Sequence, residues 1–250
     1  MDLALQGKVA MITGGSHGLG KQAAGSLARE GCKIAICARG AEQLEETRSE
    51  FAAQGYQVHA VQADVTKNED LVRFHNETVA NLGQADILVN NVGGRRGEMD
   101  FIETGMENFR EGMEVNLFCA VELVALVLPQ MRAQRWGRII NISSIYGREY
   151  GGSVDYMTGK AALIAFSKHL ALNLATENVL VNSIAPGVMG TPLLTAMPQQ
   201  VQDALGANVP FPARLGSPEE FAHLAQHICQ NSYINGETIR LDGALRMQPK

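Results

Sequence analysis

Short, mostly apolar runs recur along the chain, separated by longer stretches of mixed polarity. Lys8–Thr13 (KVAMIT), Lys33–Cys37 (KIAIC), Gln57–Gln62, Ile87–Asn90, Arg138–Ile142, Val179–Ala185 and Glu237–Leu241 read as seven buried strands. The stretches between them predict helices that run to Glu30, to about Gln54, over Asn68–Leu82, over about Glu107–Ala133, and over about Asp155–Thr176. Ser217 followed by Pro218 marks one more helix start, with Ser217 as N-cap and Pro218 at the first helical position, and this helix ends near Gln230. Strands that alternate with helices imply a parallel sheet covered on both faces, a single-domain α/β fold of the doubly wound Rossmann type. Thr191-Pro192 opens a segment through Arg214 rich in Met, Pro and Phe, which reads as a lid beside a site. The expected organisation is one domain over 1–250, with a cofactor-binding and catalytic core to 187, a lid over 188–216, and a last helix, strand and tail from 217.

Candidate chemistry gathers where the strands end. The first strand opens into Gly14-Gly-Ser-His-Gly-Leu-Gly20, and a helix follows directly. Glycines permit positive φ and close backbone approach, and a helix N-terminus offers free N–H groups to an anion. Gly14, Ser16, His17, Gly18, Leu19 and Gly20 are therefore candidate phosphate-binding positions. The second strand ends at Ala38-Arg39, with no carboxylate for ribose hydroxyls and a cation that suits a 2′-phosphate. That favours NADP(H) over NAD(H), which stays open, as does Arg39 being a plain solvated cation. Asp64-Val65 follows the third strand, where Asp64 can cap the next helix or meet an adenine amino group. Asn91 and Gly93 after the fourth strand, and Pro186-Gly187 after the sixth, complete the rim on which open α/β sheets bind ligands.

Tyr156 and Lys160 are four apart and so share one helix face. An ammonium beside a phenol favours the phenolate, so this pair, with Ser144 arriving from the fifth strand, is a candidate for moving a proton on and off an oxygen. At that spacing alone, a surface pair is the commoner outcome. Asn116 lies within the apolar run 115–121, and a buried amide there either bonds nearby backbone or takes part in chemistry. The 146–150 loop, with Tyr146, Arg148, Glu149 and Tyr150, is expected over the substrate pocket or simply at the surface.

Composition narrows the classes. A net charge of −5 with no basic run argues against nucleic acid. Cys32, Cys37, Cys119 and Cys229 have neither disulfide density nor metal-ligand spacing and read as reduced core thiols. The first residues lack the basic and apolar regions of a secretory signal, and no uninterrupted apolar stretch reaches membrane-span length. A soluble, cytoplasmic enzyme without a membrane partner is the expectation.

TGGSHGLG (13–20), DV (64–65), NNVG (90–93), Asn116, NISS (141–144), YMTGK (156–160) and VNSIAPG (181–187) together resemble the classical short-chain dehydrogenase/reductases along essentially the whole chain. The resemblance implies a tetrad of Asn116, Ser144, Tyr156 and Lys160. In it Tyr156 is the general acid or base, and Ser144 orients the substrate oxygen. Lys160 binds the nicotinamide ribose and lowers the Tyr156 pKa, and Asn116 holds a relay water. Tyr156 and Lys160 thereby also join the cofactor set, and Thr191 matches the position that meets the carboxamide. Valine replaces the family's usual alanine in NNVG, which should crowd the cofactor. A loop before Tyr156 about one residue shorter than usual leaves Ser143 as an alternative to Ser144.

Residues 1–187 are most similar to 3-oxoacyl-carrier-protein reductase-like members, and residues from 187 on to type 2 3-hydroxyacyl-CoA dehydrogenases, the pattern of a mosaic. Both branches imply a 3-oxoacyl or 3-hydroxyacyl thioester as the small-molecule carbonyl or alcohol substrate, and the family implies a homotetramer. Alternatives are a carbonyl, hydroxysteroid or polyol/sugar dehydrogenase of the same fold, or a catalytically idle cofactor-binding scaffold. The intact Ser144, Tyr156 and Lys160 set speaks against the scaffold.

Overall fold

The structure is a computed structural model that describes residues 5–247. The first four residues, read above for a secretory signal, and the last three of the tail lie outside that range. Seven parallel strands form one sheet among the described residues: β1 Val9–Thr13, β2 Lys33–Ala38, β3 Val58–Gln62, β4 Ile87–Asn90, β5 Gly137–Ile142, β6 Val179–Pro186 and β7 Thr238–Leu241. Their spatial order is β3-β2-β1-β4-β5-β6-β7. The chain winds outward from β1 in one direction, then returns beside β1 with β4 and winds outward in the other. The crevice above the β1–β4 boundary is therefore the switch point at which such sheets take ligands.

Successive residues of each central strand face opposite layers, and both layers are apolar. In β1, Val9 and Met11 enter one core with Leu71, Phe74, Leu123 and Val127. Ala10 and Ile12 enter the other with Leu27, Phe51, Phe221 and Ile228. The first core lies under α3 (Asn68–Leu82), α5 (Cys119–Ala133) and α6 (Val154–Leu174). The second lies under α1 (Gly18–Arg29), α2 (Ala41–Ala53) and α9 (Pro218–Gln230). Burial on both sides is why the strands carry runs of Val, Ile and Ala rather than alternation.

Two elements differ from the sequence expectation. The long helix begins at Phe101, six positions before Glu107, because the Asp100 carboxylate accepts the backbone N–H groups of Ile102 and Glu103. Gly105, at φ 66°, interrupts its first turns and hides them from periodicity. This helix, α4 (Phe101–Met113), continues through a π-helical turn at Glu114–Phe118 into α5. By length and composition the whole of Phe101–Ala133 could cross a membrane. Its residues Leu123, Val124, Val127 and Met131 are packed in the first core. The lid segment, in turn, is not bare loop: it holds α7 (Pro192–Thr195) and α8 (Gln199–Ala207). At α9 the expected cap is present as a full capping box, in which Ser217 and Glu220 satisfy each other's backbone N–H groups.

Candidate active site

At the switch point lies a cleft of about 360 Å³, lined by Gly14, Ser16, His17, Gly18, Leu19, Arg39, Asp64, Val65, Asn91, Val92, Gly93, Arg96 and Thr191 among others. Its floor is the glycine turn. Gly14 and Gly18 sit at φ 65° and 55°, and a side chain on Gly14 would press on the Asn91 amide. Gly20 does not line the cleft; a Cβ there would collide with the Gly14 carbonyl, so it serves the close packing of turn on helix. Asn91 braces the turn from β4: its side chain donates to Thr13 O at 2.9 Å, and its backbone N–H donates to Thr13 Oγ1 at 2.9 Å. The first turn of α1 has no side-chain cap, and the His17 ring pairs with Ser16 Oγ at 2.9 Å instead. Gly18 and Leu19 of that first turn line the cleft, and the free N–H groups of a helix start are the donor set that suits a phosphate.

Along the cleft wall, Arg39 is exposed and makes no ion pair among the described residues. Asp64 accepts from the Thr66 backbone and hydroxyl at 3.1 and 2.9 Å. Partial burial opposes ionisation of its carboxyl, but the Thr66 donors and the cations Arg39 and Lys67 outweigh that and lower its pKa. The expected helix cap is thus displaced: Asp64 closes the turn before α3, whose N-cap is Lys67. Val92 lines the cleft beside the glycine turn, its Cγ2 lying 3.1 Å from where a Gly14 side chain would start. Pro186 ends β6, Gly187 packs on Asp242, and Thr191 caps α7 at the rim.

Beside the cleft, β5 delivers two serines that do different things. Ser143 is turned inward and donates to the Lys160 carbonyl at 2.7 Å. Ser144 accepts the Tyr146 N–H at 3.2 Å, and its hydroxyl lies near enough to the Tyr156 hydroxyl to pull the phenol's pKa down. Ser144 is therefore the serine that faces Tyr156. Lys160 is buried with its ammonium donating to Ile142 O at 2.7 Å, and a Cβ at Gly93 would collide with it.

The electrostatics differ from the simple expectation. Burial raises the Tyr156 pKa, and the nearby Ser144 hydroxyl offsets only part of that rise. Lys160 turns its ammonium to the Ile142 and Val92 carbonyls, 5.7 Å from the Tyr156 ring centre. Burial instead pushes Lys160 itself down to about 8.

Asn116 sits in the π turn and spends its amide on backbone. It donates to Gly94 O at 2.7 Å and to Gly112 O at 2.8 Å, and accepts the Gly94 N–H at 2.9 Å. The 146–150 loop is tied down rather than loose: Glu149 accepts the Met247 N–H at 2.6 Å and pairs with Arg240. Sequence reasoning passed over Asn90, Asn141 and Ser167, which form a buried hydrogen-bonded chain from β4 through β5 to α6. Amides inside apolar strand runs were the available signal. All four cysteines are buried, and burial raises their pKa values to about 12 for Cys32, Cys37 and Cys229 and about 11 for Cys119. Native protein should consume a negligible amount of an aromatic disulfide reagent at pH 8, with four thiols appearing on denaturation; rapid native labelling would contradict the packing.

A fold of this topology with a glycine-turn cleft and a Ser–Tyr–Lys cluster on its rim defines a nucleotide-dependent oxidoreductase. The short chain dehydrogenase family model matches residues 8–202, and the chain belongs to that family. It is 35% identical over 249 residues to a 3-oxoacyl-[acyl-carrier-protein] reductase of Aquifex aeolicus, covering 98% of this chain and 100% of that one. It is also 35% identical over 261 residues to the human 3-hydroxyacyl-CoA dehydrogenase type-2, covering 98% of each. Both matches run through Gly187. Among solved structures, an actinorhodin polyketide ketoreductase determined with NADPH superposes with a TM-score of 0.89 at 28% identity, over 95% of this chain and 97% of that one. The protein is thus an oxidoreductase of CH–OH groups from a family that binds NAD(P)(H), and the glycine cradle and uncapped α1 terminus fit such a dinucleotide.

Proposed function

We propose that this protein reduces a 3-oxoacyl thioester to the 3-hydroxyacyl thioester with NADP(H). The observation that carries the reading is the half-buried Tyr156 phenol beside the Ser144 hydroxyl, with Lys160 packed between Ile142 and Gly93 of the cleft. The cofactor, when bound, supplies the hydride. Tyr156 holds its proton at neutral pH, as an ordinary phenol does, so it is a donor to a carbonyl oxygen as that oxygen gains charge; burial raises its pKa further. Ser144 gives the same oxygen a second hydrogen bond. Lys160 lies against Gly93, where it can meet a ribose hydroxyl, and a pKa near 8 lets it pass protons toward Tyr156. Asn116 fixes the Gly94 backbone and the π turn, the setting for its relay role.

Thioester preference rests on the two curated relatives, whose names carry those activities. NADP(H) rests on Arg39, an exposed cation on the cleft wall where a 2′-phosphate would lie. Exposed Phe101, Ile102, Met106, Phe118 and Leu172 on α4, α6 and the π turn between α4 and α5 support a homotetramer whose interfaces cover those helices. A cytoplasmic location belongs to the same proposal.

The test is reduction of acetoacetyl-CoA with NADPH and NADH side by side at one pH. Strong NADPH preference is expected. Arg39→Ala should then lower that preference about 10- to 100-fold, the worth of a hydrogen bond to a charged group. Activity with NADH alone would make Arg39 a bystander, and no turnover with either would remove the thioester reading.

A further inference from the structure

The neighbour of Tyr156 is a carboxylate that the proton-transfer scheme leaves unused. Asp155 is 0% exposed and has no cationic partner among the described residues. Its Oδ2 accepts the Arg96 N–H at 2.9 Å, and its Oδ1 accepts the Gly97 N–H at 3.2 Å. Glycines make room for it: a Cβ on Gly112 would collide with the carboxylate, and one on Gly97 would come within 3.0 Å. A carboxylate stripped of water and counter-charge is costly, so the loop it holds has a stringent requirement for its shape.

That loop is clamped at its other end by Asn116, which bonds both the N–H and the carbonyl of Gly94. Arg96 stands at the second clamp, its own N–H held by Asp155. Its side chain folds back over Gly94, with Nη1 3.5 Å from a Cβ built there, and its one side-chain hydrogen bond among the described residues runs to Arg95 O at 3.0 Å. It lines the same cleft as Gly14, Gly18, Asn91 and Thr191 and pairs with no carboxylate among the described residues. A half-buried guanidinium with most of its five donors open, on a loop locked from both sides, is set to bind an anion.

We infer that Arg96 is a phosphate ligand on the Lys160 side of the cleft, and that Asp155 is the positioning residue that holds it there through the 94–97 loop. The phosphate has two sources, the cofactor's diphosphate or a phosphate-bearing substrate such as a coenzyme A thioester. The second source rests on the proposed function; the first needs only the family's nucleotide.

Arg96→Met keeps the length and apolar stem but removes the charge. Three quantities are measured in it and in the unaltered protein: the NADPH Kd by nucleotide fluorescence, the KM of acetoacetyl-CoA, and the KM of uncharged ethyl acetoacetate. A tenfold or greater rise in the NADPH Kd assigns the cofactor's diphosphate. A rise confined to the acetoacetyl-CoA KM assigns the substrate's phosphates. No rise in either overturns the inference. If the unaltered protein does not turn over acetoacetyl-CoA, the thioester reading has failed, while the NADPH Kd still decides the role of Arg96.

Asp155→Asn, which keeps the shape and replaces one acceptor by a donor, should reproduce the Arg96→Met loss. It should leave unchanged the Kd of 2′,5′-ADP, a ligand for the Arg39 end. Equal weakening of 2′,5′-ADP and NADPH would reduce Asp155 to a merely structural role and overturn its positioning part. Arg96→Lys should restore part of the lost affinity, since charge returns without the planar fork.

Discussion

Tyr156→Phe is expected to lower kcat about 100- to 10,000-fold, the range supplied by a positioned general acid, while NADPH Kd stays nearly constant. The substitution removes one oxygen from a ring that is otherwise held by packing. What is lost is the proton donor beside Ser144, and the glycine turn, Asn91 and Arg39 are untouched. Stability should change by less than about 1 kcal/mol, the net value of one hydrogen bond. Steady-state rates with saturating NADPH, alongside fluorescence titration of the nucleotide, give both numbers. A variant that kept most of its kcat would remove Tyr156 from the acid role and leave the fold and the nucleotide cleft standing.

Lys160→Met carries the second large effect, and it acts on activity and stability in opposite directions near neutral pH. Loss of the ammonium beside Gly93 and Tyr156 should reduce kcat by a factor comparable to that of Tyr156→Phe. For stability, burial depresses the folded-state pKa of Lys160 from 10.5 to about 8. Between those values the unfolded chain binds the extra proton and the folded one does not, so stability rises with pH across that window. Below about pH 8 the folded protein carries the full cost of a desolvated ammonium, of order 3 kcal/mol, reduced by the bonds to Ile142 O and Val92 O. Unaltered protein should therefore gain melting temperature relative to Lys160→Met as pH climbs from 7 toward 10. Parallel melting curves for the two proteins over that range would mean that Lys160 is charged and well solvated in the fold.

Local signals were enough where an element is decided by its own residues. Asn68–Leu82 and Ile87–Asn90 have the boundaries expected from pattern alone. The Ser217-Pro218 start of α9 followed from capping chemistry contained in four consecutive residues. The start of the long helix was missed because Gly105 adopts positive φ inside it and breaks the periodicity on which the reading relied. The helices within 191–214 were missed because they are short, and Met and Pro there suggested irregular chain. The phenol of Tyr156 was expected to be acidified, since sequence spacing shows that Lys160 is near but not where its ammonium points.

The sequence by itself determined the parallel doubly wound sheet, since apolar runs of strand length alternating with helices have few other ways to bury both faces. It also determined which residues crowd the carboxyl edge, because each follows directly on a strand end. Only the tertiary structure decided what those residues do there. It turned Ser143 to a helix carbonyl and Ser144 to Tyr156, and it set Asn116 and Asp155 as clamps on one loop across separations of 22 and 59 positions. Hydrogen bonds of that reach and the burial that shifts Tyr156 and Lys160 come from elements meeting in space, and no local pattern records them.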